Sequence, residues 1–143
     1  MNVSASNISV FAELLAVHDV RLLPGSYAVP VDVLAGLPDG SVAHFIARGT
    51  TIRLALYAPD ALTSVVIATQ CGCGQHHEPA GPRRMTIRAD AIPLVVRAID
   101  GRSAFGWTGH EAGMLRLSDA APYFFDLLSR ATDAEPAVVL AAV

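Results

Sequence analysis

The chain has 143 residues, 52% of them hydrophobic and only 16% charged, with a formal net charge of −3. That length suits one domain with a real core, and the composition excludes disorder, which needs low hydrophobicity and high net charge. The mildly acidic balance argues against nucleic-acid binding, which usually needs a basic stripe, and no uncharged apolar run approaches the ~18 residues of a spanning helix.

"SNISVFAELLAVHDV" predicts an amphipathic helix in which Ile8, Phe11, Leu14, Leu15 and His18 share a face and Ser6 or Asn7 is the cap. "LLPGSYAVPVDVLAGLPDGS" carries turn signals at Pro24-Gly25, Pro30, Gly36 and Pro38-Asp39-Gly40, leaving room for one short helical turn over Val31 to Leu34. The period then becomes two. "SVAHFIARG" and "TTIRLALYA" predict strands paired through Gly49, with Ile52, Leu54 and Leu56 on one face and Arg53 and Tyr57 on the other. "LTSVVIATQ" and "RRMTIRA" predict two further strands, and "QCGCGQHHEPAG" is either a hairpin tip or a crossing between neighbouring strands.

The second half repeats a design. "MTIRADAIPLVVRAI" and "MLRLSDAAPYFFDLL" each read as a short strand, then Asp-Ala-X-Pro, then an apolar helix. Asp90 and Asp119 can cap free helix amides, while Pro93 and Pro122 suit a first turn, where a missing N–H is harmless. Ile92, Val95, Val96 and Ile99 form one expected buried stripe; Phe124, Leu127, Leu128 and Ala131 form the other. Between them, "GRSAFGWTGHEAGML" predicts two strands around a glycine-rich turn. The expected whole is one α+β domain over residues 1–143: an antiparallel sheet of about five or six strands, with the N-terminal helix and both Asp-Ala-X-Pro helices packed on it. The rival is a mixed sheet containing a βαβ crossover. Residues 136–143 form an uncharged apolar tail.

Three features carry candidate chemistry. Cys71 and Cys73 are two apart, so an extended segment projects both thiols from one face. With His76, His77 or His110 they offer the sulfur and nitrogen donors of a zinc site, although C-x-C-x2-H-H is not a standard zinc spacing. Trp107, His110 and Glu111 could shape a small pocket with an acid/base pair; a glycine-rich turn produces the same letters. The tail offers Val138, Val139 and Leu140 for docking on a partner or pairing in the sheet. No G-x-S-x-G, Walker or H-E-x-x-H sequence is present, and His18 and His44 read as core or edge histidines.

All ten basic residues are arginine. With abundant alanine, glycine and proline, this fits the GC-rich codons of a high-GC bacterium or its phage. The N-terminus lacks a basic region and Glu13 interrupts its apolar part, unlike a secretory signal. A cytoplasmic location follows, where the two cysteines are thiols or metal ligands rather than a structural disulfide. The expected function is a small non-enzymatic interaction or assembly protein, a homo-oligomer or partner binder without nucleic acid or membrane. The alternatives are a zinc module built on Cys71, Cys73, His76 and His77, and a small enzyme built around His110 and Glu111.

Overall fold

The two-residue alternation between Val42 and Tyr57 becomes the middle of an antiparallel sheet in the computed structural model, which describes residues 3–24, 26–28, 31–66 and 83–132. In chain order the elements are α1 (Val3–Val17), β1 (Arg21–Leu22), β2 (Tyr27–Ala28), β3 (Val31–Gly36), β4 (Val42–Arg48), β5 (Thr51–Tyr57), β6 (Leu62–Val66), β7 (Arg83–Ile87), β8 (Val95–Asp100), α2 (Gly101–Phe105) and α3 (Leu117–Thr132). The main sheet runs β1-β3-β4-β5-β8, with β2 also on β3, and β6-β7 form a separate pair. Every pairing among the described residues is antiparallel, so the α+β expectation holds and the βαβ crossover does not occur there. Gly49 takes a φ of 58°, which glycine adopts freely, and the β4–β5 turn closes with Arg48 opposite Thr51.

Alternation sorts the sheet into two faces. Val33, Phe45, Ile52 and Leu54 point to one side and are buried under α1 and α3. Ala43 and Ala47 flank Phe45 on the same face, leaving room for the Phe124 ring. That ring meets Phe45 edge-on at 5.3 Å and Phe11 at 5.5 Å, a geometry that aromatic quadrupoles favour. On the opposite face the β6–β7 pair covers one end: Leu62, Met85 and Ile87 pack on Leu23, Leu34 and Val42. On the same face Ala55 and Tyr57 are buried with Ala61, against Ile87 and Ala91.

Five local expectations are corrected. Residues 31–34 are strand, not a helical turn, because Val31 and Val33 alternate into the core and β4 gains a partner. The first Asp-Ala-X-Pro unit leads into β8 and forms no helix. Val95 and Ile99 face the core, whereas Ile92 is 83% and Val96 39% exposed, so the stripe is split by a two-residue period; Asp90 is exposed and pairs with Arg88 at 3.6 Å. Residues 101–114 make α2 and a 3-10 turn (Ala112–Met114), not two strands. Asp100 caps α2 by accepting the Arg102 N–H at 3.0 Å, and Gly106, with φ of 75°, ends it. In α3, Pro122 lies inside the helix rather than in its first turn, and Asp119 pairs with Arg116 at 3.0 Å instead of capping. Ser6 and Asn7 fall within α1, which begins at Val3.

Candidate functional site

The sheet face turned away from α1 and α3 carries a polar cluster built by strand register. Asp32 stands opposite Ile46, and Leu34 opposite His44, so His44 is the diagonal neighbour of Asp32 on the same face. The His44 Nε2 lies 2.7 Å from the Asp32 Oδ1, and Arg48 donates to the other oxygen at 3.3 Å. The Asp32 and His44 side chains are one-fifth exposed, Arg48 two-thirds. A carboxylate held this way orients the imidazole, and the arginine partly balances the aspartate. The same register puts Ile46 and Arg53 beside the cluster. Nothing in the sequence announced this group, because its members approach only through a cross-strand diagonal.

A second feature is a cleft of about 500 Å³ where α1, the β3–β4 turn and the end of α3 meet, lined by His18, Val20, Leu37, Asp39, Phe125 and Leu128 among others. The end of α1 positions it. Asp19 adopts the left-handed region with φ of 57°, and the Val20 N–H returns to the Leu15 carbonyl at 3.0 Å. This reverse turn buries Val20 and leaves the His18 ring 4.8 Å from that of Phe125. Asp39 is engaged within its own turn, where its carboxylate accepts the Ser41 hydroxyl and the Ser41 N–H. The hydroxyl first, then the amide, hold it below the ordinary aspartate value.

Trp107, His110 and Glu111 sit between α2 and α3. The Glu111 carboxylate accepts the N–H groups of Thr108 at 2.9 Å and Gly109 at 2.8 Å, and these bonds hold it below its ordinary value. A carboxylate stabilised as the anion is a weak base, and its evident work is closing the turn. The sign follows directly: a depressed folded value stabilises the fold at neutral pH, and that contribution disappears as pH falls through the folded value. Glu111→Gln is therefore expected to lower the urea midpoint at neutral pH and to match the parent at strongly acidic pH. Equal midpoints at neutral pH would show that the charge on the Glu111 carboxylate contributes nothing.

His110 is exposed, and its turn lies against Gly49, with the Ala112 N–H bonded to the Gly49 carbonyl at 2.9 Å. That is the opposite end of β5 from Tyr57, after which β6 begins. Cys71, Cys73, His76 and His77 lie outside the described residues. Their segment joins β6 to β7, whose ends pair Val66 with Arg83, as the hairpin reading expects. Val138, Val139 and Leu140 also lie outside the described residues. Among the described residues no three His, Cys, Asp or Glu side chains gather for a metal, and no helix is long and apolar enough to cross a membrane. No protein-family model matches this chain, and neither a curated protein nor a solved structure shows significant similarity to it.

Proposed function

We propose that this protein is a non-enzymatic assembly or interaction module that works by self-association. The observation that carries this reading is the apolar run entering the outer strand of the sheet. Ile92, Leu94 and Val96 are 83%, 63% and 39% exposed, at alternate positions along one line of chain. β8 pairs with β5 on one side and has no strand on the other among the described residues. The backbone groups of such an edge can template a second strand. A two-fold axis beside β8 would bring the same apolar positions of two copies together, closing the contact on itself. The Arg97 guanidinium donates to the Val96 carbonyl at 2.9 Å, which limits but does not close this edge.

Multi-angle light scattering at micromolar concentration is the test. The expected mass is a multiple of 15.0 kDa; a single-chain mass would refute the reading. Leu94→Asp with Val96→Asp, both at exposed positions, is expected to weaken association at least about tenfold, since central interface residues contribute ~2 kcal/mol or more. The circular dichroism spectrum should not change.

A second reading keeps Cys71, Cys73, His76 and His77 as a zinc-binding loop. The β6–β7 pairing favours it by holding the ends of segment 67–82 together, which reduces the chain entropy lost when ligands converge. Metal analysis of protein purified without chelator tests it, and a strongly substoichiometric zinc content would dismiss it.

A further inference from the structure

We propose that the cleft at the end of α3 is the receptor for this chain's own C-terminal segment, with Val138, Val139 and Leu140 filling it in cis. The inference is independent of the self-association reading. Its first support is position. Thr132, the last residue of α3, is itself part of the cleft wall. From there to Val138 an extended chain reaches up to ~20 Å, so the apolar residues are tethered beside the opening. Tethering of this kind gives effective concentrations in the millimolar range.

The second support is the sequence that follows Thr132. The Thr132 hydroxyl donates back to the Leu128 carbonyl at 2.8 Å, the i−4 bond that a threonine side chain makes to a helix carbonyl. Pro136 then disfavours any helical continuation. The sequence between them, Asp133-Ala134-Glu135, is a short polar spacer, and the eight residues after it carry no charge.

The third support is chemical fit. The wall is built from Val20, Leu37, Phe125 and Leu128, with the His18 ring against Phe125. Asp39, the one carboxylate among the described lining residues, is engaged by Ser41. Beside the polar side chains of His18, Ser129 and Thr132, most of the lining is apolar and suits aliphatic side chains. A volume of about 500 Å³ lies within the ~300–1,000 Å³ of ordinary ligand sites. That accommodates a few branched side chains rather than the face of a domain.

Methyl NMR on the full chain tests this directly. Nuclear Overhauser contacts are expected between the Leu128 and Val20 methyls and those of Val138, Val139 or Leu140. In a full-length Val139→Asp, Leu140→Asp variant, the Val20, Leu37 and Leu128 methyls should shift while strand methyls such as Leu54 stay put. The dye anilinonaphthalene sulfonate should then bind several-fold more strongly, and a synthetic peptide of residues 133–143 should displace it. Ser129→Arg, at the exposed rim, should weaken that peptide without altering the fold. Unmoved cleft methyls, or an unchanged dye signal, would overturn the proposal. So would contacts found only between differently labelled copies. The variant with Leu94→Asp and Val96→Asp separates the two ideas: the cleft contacts should survive in it even though self-association is lost.

Discussion

Phe124→Ala is expected to destabilise the fold by roughly 3–5 kcal/mol, the usual cost of removing a fully buried phenylalanine. Phe124 has no exposed surface and stands where α1, α3 and the central strands converge. Its ring contacts Phe11, Phe45 and Phe125 at 5.3 to 5.5 Å, each edge-on, so truncation strips three aromatic partners at once. The neighbouring strand positions are alanines 43 and 47, which cannot extend into the void. The cavity should therefore stay open, placing the loss toward the upper end of the range. Domains of this size have only ~5–15 kcal/mol in total, so the variant should unfold at much lower urea, with little change of slope. Phe105→Ala serves as the control, since Phe105 is 43% exposed and should cost far less. A loss below about 1 kcal/mol for Phe124→Ala would mean that the helices do not cover this face as described.

Gly101→Ala is expected to destabilise by about 1–3 kcal/mol, the range for forcing extra volume into a packed site. Substituting alanine for glycine inside a helix ordinarily gains 0.5–1 kcal/mol or so, so the local effect has the opposite sign. Packing decides the matter. A Cβ at Gly101 would lie 2.0 Å from Trp107 Cε3 and 2.6 Å from the Thr50 carbonyl oxygen. The indole could swing away, but the carbonyl cannot: it accepts the Gly101 N–H at 2.7 Å and belongs to the β4–β5 turn. Trp107 is the sole tryptophan, so its emission reports the same event. It should shift to the red as the ring is pushed from its half-buried seat. A variant as stable as the parent with unchanged emission would show that this close approach does not exist. Gly106 gives the contrast: it has open space but a φ of 75°, so alanine there is strained by backbone conformation and not by a neighbour.

What the sequence by itself determined is the part of the fold whose signals are strictly local. Ile52, Leu54 and Leu56 can share a face only in a strand, and Gly49 permits the turn that pairs it with its predecessor. Phe11 and Leu15, and Phe124, Leu127 and Ala131, recur at helical spacing and are buried as that spacing requires. Tertiary structure decided the rest. Ile92, Val95, Val96 and Ile99 fit a helical stripe as well as they fit a strand, and their letters cannot choose. The choice came from β5, whose outer edge needed hydrogen-bond partners, and from the burial of Val95 and Ile99 alone; strand formation depends on neighbours more than on intrinsic preference. Val31 to Leu34 became a strand for the same reason, because β4 required a partner on its other side. The functional candidates are non-local in the same sense. Asp32 and His44 meet only through the β3–β4 register, and His18 reaches Phe125 and Leu128 only because α1 and α3 lie on one sheet face. A polar pair or a cleft is defined by distances between chain segments, and local periodicity carries no information about those distances.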